Sequence, residues 1–126
     1  MSGVQLSTHV LDAALGRPAT GVPVRWERRA ADGSWTRVGT GTTDTDGRVA
    51  STAWLRQRAA GAIDGSVDGS AGTWHRLVFD VETWSSSAGT AVFFPEVTIT
   101  FVADGRDRHH VPLLLSPFAY STYRGS

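Results

Sequence analysis

Short runs in which apolar and polar residues alternate constrain the fold of this chain more than any other feature. The pattern runs through residues 22–27, 77–82 and 97–102. Successive side chains of a β-strand point to opposite faces, so each run predicts a strand with one buried face. Further strands are predicted near Val4–Val10, Trp35–Thr43, His109–Leu115 and Ala119–Tyr123. The chain is therefore predicted to be all-β.

Glycine-containing turns separate these runs. Asp32-Gly33, Asp46-Gly47 and Asp104-Gly105 lie between candidate strands, as hairpin turns do. A single short helix is predicted over Thr83–Gly89, with Thr83 as its N-cap and Gly89 as its stop. The Gly/Ser/Asp-rich stretch Arg56–Thr73 predicts a surface loop. Short strands with frequent turns favour a β-sandwich or a barrel.

Composition excludes several classes of protein. The 126 residues fit one domain over 1–126, and twelve cations, all arginine, balance twelve acidic residues. A net charge near zero offers no electrostatic footprint for nucleic acid or an anionic membrane. Without cysteine the chain has no disulfide framework and no thiolate zinc site. No apolar run approaches the ~20 residues that span a bilayer, and we expect a cytoplasmic protein.

The four histidines do not predict a metal centre. They are His9, His75, His109 and His110, and no two are spaced as H-x-H or H-x-x-x-H. The neighbours His109 and His110 point to opposite faces of a strand, so one ion cannot bind both without a bulge. A Ser-His-Asp triad is also disfavoured, because no G-x-S-x-G turn is present.

Pro112 interrupts the apolar segment that follows the two neighbouring histidines. Proline has no N–H and cannot donate to the ladder of a central strand. The segment is therefore predicted to be an edge strand, to contain a bulge, or to pack against another chain.

Two further features have plain structural interpretations. Arg48 follows the Asp46-Gly47 turn and is, from spacing alone, a solvated arginine. The five tryptophans are interpreted as core and rim packing, with a carbohydrate-binding platform as the alternative. The residues alone thus predict a β-sandwich domain without a named activity.

Five segments, in the same order along the chain, resemble the motifs of the 5-hydroxyisourate hydrolases, the transthyretin-related enzymes. They are Leu6–Asp12, Asp46–Arg48, Phe93–Val97, His110–Pro117 and Tyr120–Ser126. The resemblance spans essentially the whole chain. The last four residues of the chain, Tyr123-Arg124-Gly125-Ser126, match the motif that distinguishes these enzymes from transthyretin, the hormone carrier.

The resemblance implies a transthyretin-like sandwich of two four-stranded sheets with one short helix. It implies a homotetramer, built as a dimer of dimers, with active sites in the channel between dimers. The implied reaction is hydrolysis of 5-hydroxyisourate to 2-oxo-4-hydroxy-4-carboxy-5-ureidoimidazoline in urate degradation, without a metal or an organic cofactor. The alternative function is that of a non-catalytic, transthyretin-like carrier of a small ligand.

The resemblance also implies the site residues. His9, Arg48, His110 and Ser126 match the catalytic positions, and Tyr123, Arg124 and Gly125 match substrate-binding positions. Water needs a base at neutral pH, and histidine, with a pKa of about 6.5, suits that task. A nearby arginine keeps such a histidine neutral, and its guanidinium can bind ring carbonyls and stabilise a developing oxyanion.

Overall fold

Ten strands and one helix make up the part of the chain that a computed structural model describes, residues 4–56, 73–103 and 108–126. The strands are β1 Gln5–Asp12, β2 Arg17–Pro18, β3 Pro23–Arg29, β4 Trp35–Thr42, β5 Arg48–Val49, β6 Leu55–Arg56, β7 Thr73–Asp80, β8 Glu96–Ala103, β9 Arg108–Ser116 and β10 Ala119–Thr122. The helix, α1, spans Val81–Ala88. None of the described helices is long and apolar enough to cross a membrane.

The strands form two sheets, as predicted. The first sheet has the order β10-β9-β1-β2, with β5 also paired to β1, and the second has the order β6-β4-β3-β7-β8. Each described sheet has five strands where four were expected, and β2 and β5 of the first sheet and β6 of the second are only two residues long. The sandwich with one helix is confirmed, and the strand count is larger than predicted.

The core lies between the two sheets and contains the apolar residues of the alternating runs. Leu6 and Val10 of β1 and Leu113 of β9 face Trp26, Leu77 and Phe79 of the second sheet, all fully buried. The indole N–H of Trp54 donates to the backbone oxygen of Leu6 at 2.7 Å, which satisfies the polar atom of a buried tryptophan. Because these side chains face the core, the residues that alternate with them along each strand lie on the outer faces of the two sheets.

The N-cap of the helix lies three residues earlier than predicted. Asp80, the last residue of β7, is the N-cap: its carboxylate accepts the Thr83 N–H at 3.1 Å and the Thr83 hydroxyl at 2.7 Å. Thr83 as N-cap was therefore wrong, because it lies in the first turn. Gly89 ends the helix in the left-handed conformation, as predicted, with φ of 70°.

We expect Asp80→Ala to lower the free energy of unfolding by about 1 kcal/mol, the usual cost of losing an N-cap. Chemical denaturation at neutral pH measures the change. Ser87→Ala, at an exposed position of the same helix, is the control and should leave stability unchanged or slightly raised. An Asp80→Ala variant as stable as this control would contradict the assignment of the cap.

The predicted glycine turns differ in what they connect. Gly33, with φ of 88°, lies in the hairpin between β3 and β4. The Asp46-Gly47 turn is not a hairpin, because β4 belongs to the second sheet and β5 pairs with β1 of the first. It carries the chain from one sheet to the other. The predicted turn at Asp104-Gly105 lies outside the described residues, and so does the predicted loop Arg56–Thr73 except for its ends, where Arg56 belongs to β6 and Thr73 to β7.

Pro112 occupies a central strand, so the edge, one of the three predicted explanations for this proline, is wrong. β9 pairs with β1 on one side and with β10 on the other. The pairing with β10 ends at Leu113↔Thr122 and returns in the same register at His110↔Gly125. Pro112 lies in this gap, where no N–H is needed, and its carbonyl accepts the Thr122 hydroxyl at 2.7 Å. The chain end thus continues along β9 as far as His110.

Candidate active site

Polar side chains collect on the outer face of the first sheet. The parallel register of β1 and β9 pairs Ser7 with His110 and His9 with Pro112. The antiparallel register of β1 and β5 pairs His9 with Arg48. Side chains at alternate positions share a face, so Ser7, His9 and His110 point outward together. The resemblance implied catalytic roles for His9, Arg48 and His110. The fold pairs His9 with Arg48 and places His110 opposite Ser7 on the same face, and of these three Arg48 and His110 line the cleft.

This face contains an open cleft of about 840 Å³. Its wall includes backbone and side chains from β1, β5, β9 and the C-terminal segment. The lining residues are Gln5, Ser7, Arg48, Ser51, Arg108, His109, His110, Gly125 and Ser126. A guanidinium, an imidazole and the chain terminus therefore border one space, which has the size of a small-molecule site.

Asp44 organises the turn that presents Arg48. Its carboxylate accepts the backbone N–H of Asp46 at 2.9 Å and that of Arg48 at 3.0 Å. The hydrogen bond from the Arg48 backbone is the main cause of a lowered Asp44 pKa, and the charges of Arg48 and His9 lower it further. Gly47, at the tip, accepts the Val10 N–H through its carbonyl at 2.7 Å. The turn is thus fastened to β1 beside His9.

His110 is held by its two neighbours on the sheet. Ser7 Oγ lies 2.8 Å from Nδ1 of the imidazole. The Gly125 N–H donates to the His110 carbonyl at 2.8 Å. The Cα of Gly125 packs so closely on the imidazole that an added Cβ would overlap Cδ2. The ring is therefore enclosed by β1 on one side and by the chain end on the other.

The surroundings of His110 keep its imidazole neutral. Burial lowers its pKa from the ordinary value of 6.5, and the positive charges of Arg48 and His9 lower it further. A hydrogen bond to the backbone of Ser7 opposes these effects only in part. A neutral imidazole is the form that accepts a proton, so His110 has the protonation state of a general base at neutral pH.

The four predicted C-terminal residues divide between two clefts. Gly125 and Ser126 line the cleft with Arg48. Tyr123 and Arg124 line a separate cleft of about 260 Å³ between β8 and the chain end, with Phe101 and Val111. His110 borders both clefts. Within the described chain, the four residues with an implied substrate-binding or catalytic role are therefore spread over two clefts that adjoin at His110.

The other two histidines are buried, although His109 also contributes to the walls of both clefts. His75 is fully buried and accepts the Trp26 indole N–H at 3.1 Å through Nδ1. His109 is buried with its ring 6.0 Å from that of Phe101. Neither can share an ion with His9 or His110, and no group of three His, Asp or Glu residues in the described ranges could hold a metal.

The tryptophans do not form an open platform. Trp26, Trp54 and Trp84 are buried in the core, as the packing interpretation predicted. Of the two that reach the surface, Trp35 is covered by the guanidinium of Arg76 at 4.2 Å and Trp74 by that of Arg29 at 4.8 Å. A sugar ring stacks on a bare aromatic face, so these covered rings disfavour the carbohydrate-binding alternative.

Ser7 is the site residue that the sequence prediction missed. It stands two positions before His9, and a period of two along a strand places both side chains on one face. That signal was present in the sequence, but the partner of Ser7 was not, because the parallel pairing of β1 with β9 joins residues 103 positions apart.

The arrangement can activate water and bind a planar polar ring. A neutral imidazole can take a proton from water, and a second imidazole at His9 can move a proton to a leaving nitrogen. The Arg48 guanidinium offers a planar fork of donors to carbonyl oxygens or to an oxyanion. These groups are suited to the hydrolysis of a cyclic amide.

Comparison with known proteins gives one consistent result. Residues 6–125 match the model of the HIUase/transthyretin family. A relative named 5-hydroxyisourate hydrolase, from Caulobacter vibrioides, is 42% identical over the full length of both chains. The solved structure of Klebsiella pneumoniae 5-hydroxyisourate hydrolase matches with a TM-score of 0.72 and 32% identity, covering 100% of each chain. Sea bream transthyretin, solved with thyroxine, matches with a TM-score of 0.75 and 28% identity, over 96% of this chain and 94% of its own.

Proposed function

The chain belongs to the HIUase/transthyretin family, and we propose that it hydrolyses 5-hydroxyisourate in urate degradation, in the cleft bordered by Arg48 and His110. The observation that carries the location is the register of the first sheet. It brings His9, Arg48 and His110 to one outer face from three separate strands. Nothing in the folding of a sandwich requires two histidines and an arginine on an exposed face.

The proposed reaction opens the ring by attack of water. His110, kept neutral by burial and by Arg48, accepts a proton as the water oxygen adds to a ring carbonyl carbon. Arg48 stabilises the negative charge that develops on the carbonyl oxygen. The C–N bond then breaks, and the proposed source of the proton for the leaving nitrogen is His9, the register partner of Arg48 on the same outer face. Ser126 at the cleft wall closes the site around the ring.

The roles of the terminal residues follow from the two clefts. Gly125 and Ser126 border the substrate cleft, so contact with substrate is proposed for them. Tyr123 and Arg124 border the second cleft, and their proposed contribution is to hold the chain end against β9. A metal or an organic cofactor has no part in this mechanism.

The experiment that tests the function uses substrate made in place. Urate oxidase generates 5-hydroxyisourate, and the decay of its ultraviolet absorbance is followed with and without the protein. Acceleration that is proportional to protein concentration supports the hydrolase. Decay at the spontaneous rate, together with saturable binding of a small aromatic ligand, would instead support the transthyretin-like carrier.

We expect the pH profile of kcat/KM to carry the signature of a histidine with a lowered pKa. Because His110 accepts a proton only when neutral, its lowered pKa places the acidic limb below pH 6.5. Arg48→Gln removes a positive charge that lowers this pKa, so the limb should move to higher pH as the rate falls. Arg37→Gln, on the second sheet, should leave the limb in place. An acidic limb above pH 6.5 in the wild type, or one unmoved by Arg48→Gln, would contradict the role of His110.

We propose a single domain over 1–126, because the core joins buried residues from Val4 to Leu115 across both sheets. We also propose a homotetramer, a dimer of dimers, that encloses the outer face with the cleft. Native mass spectrometry can test whether the protein is a tetramer. A cytoplasmic location is in keeping with the cysteine-free sequence.

A further inference from the structure

We propose that Ser7 and Gly125 are positioning residues, which hold the imidazole of His110 from two sides so that Nδ1 keeps the proton and Nε2 is presented to the attacking water. The expected effect on catalysis rests on the proposed function, whereas the way in which the two residues hold the imidazole does not. Neither residue needs to touch the substrate for this role. Ser7 acts through a hydrogen bond, and Gly125 acts through the space that its missing side chain leaves.

The hydroxyl of Ser7 fixes one nitrogen of the ring. Ser7 Oγ lies 2.8 Å from His110 Nδ1, and the two residues are direct partners in the parallel ladder. The hydroxyl oxygen of Ser7 has lone pairs that can accept an Nδ1–H, so the proposed tautomer carries its proton on this nitrogen. The hydrogen bond at one nitrogen determines which nitrogen is free to act as a base, and here the free nitrogen is Nε2.

The neighbouring hydroxyl on β1 cannot substitute for Ser7. Thr8 is fully buried on the core face, and its hydroxyl donates to the Val111 carbonyl at 2.6 Å. Ser7 is on the outer face, where its partner is His110. Of the two hydroxyls, one therefore joins β1 to the backbone of β9 and the other joins it to the side chain of the proposed base.

Gly125 closes the other side of the ring. An added Cβ would overlap His110 Cδ2 and would lie 3.1 Å from Cγ and 3.2 Å from Cβ of His110. Gly125 does not have a positive φ, so its backbone conformation is open to any residue. The reason for glycine at this position is therefore space. A larger residue must push either the ring or the chain end out of place, and with the chain end it moves Ser126.

We expect Ser7→Ala to lower kcat by about five- to tenfold, the effect of one hydrogen bond, and to leave KM within about twofold. Without the hydroxyl the ring is free to place its proton on Nε2, which then cannot accept one from water. Ser7→Thr keeps a hydroxyl in a strand position that suits threonine and should restore kcat. Ser116→Ala, the same change on β9 far from the cleft, is the matched control and should behave as wild type.

The state of the ring is measured independently of activity. In protein labelled with ¹⁵N-histidine, correlation spectra distinguish an Nδ1–H from an Nε2–H imidazole. The wild type and Ser7→Thr should hold His110 with the proton on Nδ1, while Ser7→Ala should show the Nε2–H form. An unchanged His110 signal in Ser7→Ala, or a kcat equal to that of Ser116→Ala, would overturn the role of Ser7.

Gly125→Ala tests the second side of the ring. We expect a loss in kcat of at least about tenfold, with a changed His110 signal, while the melting temperature stays near that of the wild type because the chain end is exposed. A Gly125→Ala protein with wild-type kcat and an unmoved His110 signal would overturn the role of Gly125. If the wild type itself fails to accelerate 5-hydroxyisourate decay, the proposed function fails, and the spectra still decide whether the ring is held in this way.

Discussion

His110→Ala is expected to lower kcat/KM for 5-hydroxyisourate by roughly 100- to 10,000-fold, the range over which a positioned general base contributes. The physical reason is the combination of features at this one ring. Its pKa is lowered by burial, by Arg48 and by His9, so it is neutral when the reaction runs. Ser7 engages one nitrogen and leaves the other to water. Removing the imidazole removes the acceptor of the proton, while Arg48 and the cleft remain.

His110→Asn provides the second variant, because His110 lies half-buried in a central strand and alanine could disturb the sheet. Asparagine can still hydrogen-bond to Ser7 but cannot act as a base near neutral pH. Both variants should be compared with wild type by circular dichroism and melting temperature before their rates are interpreted. A folded His110→Asn protein with kcat/KM within about twofold of wild type would show that the base is another residue.

Gly47→Ala is expected to be the most destabilising substitution in the turns, with a loss of about 2–4 kcal/mol. Gly47 has a φ of 76°, which is unfavourable for alanine. An added Cβ would also overlap the Val10 carbonyl and lie 3.1 Å from the Cβ of Pro18. Since Val10 is in β1 and Arg48 follows Gly47 directly, the same displacement should move Arg48 away from His9 and lower activity.

Gly16→Ala is the matched control for the turn. Gly16 has a φ of 69°, but an added Cβ would meet no atom within 4 Å. Gly16→Ala should therefore lower the free energy of unfolding by about 1 kcal/mol, the cost of the unfavourable φ alone, and should keep full activity. Thermal and chemical unfolding of the two variants separates backbone strain from overlap. Equal losses of stability in Gly47→Ala and Gly16→Ala would contradict the close packing of this turn on β1.

The sandwich could be predicted from the sequence because strand alternation reports directly which side chains are buried. The runs at 22–27 and 97–102 correspond to β3 and β8, whose inward residues form the core. The two-residue strands β2, β5 and β6 could not be predicted, since two residues carry no period. The start of α1 was missed because Asp80 both ends a strand and caps the helix, so the two signals overlap.

The candidate site was predictable in its members and not in its geometry. Resemblance to a family supplied His9, Arg48 and His110, but only the parallel pairing of β1 with β9 places Ser7 against His110. The position of Pro112 in the sheet was predicted wrongly, because proline was expected only outside central strands. The C-terminal segment leaves a gap in its pairing with β9 opposite Pro112. A local sequence pattern does not show this pairing. For the same reason the sequence could not show that Tyr123 and Arg124 line a second cleft, which adjoins the first at His110.

The most direct measurement is the rate of 5-hydroxyisourate decay with wild type, Arg48→Ala and Arg37→Ala at equal concentrations. Arg48 lines the cleft with His110, whereas Arg37 lines a cleft of about 460 Å³ on the outer face of the second sheet. The two substitutions remove the same charge and fork of donors from the two faces of one sandwich. We predict rapid decay with wild type and Arg37→Ala, and a rate at least about a hundredfold lower with Arg48→Ala, the scale of losing an oxyanion donor. Equal rates for Arg48→Ala and wild type, or a loss confined to Arg37→Ala, would contradict catalysis at the cleft between Arg48 and His110.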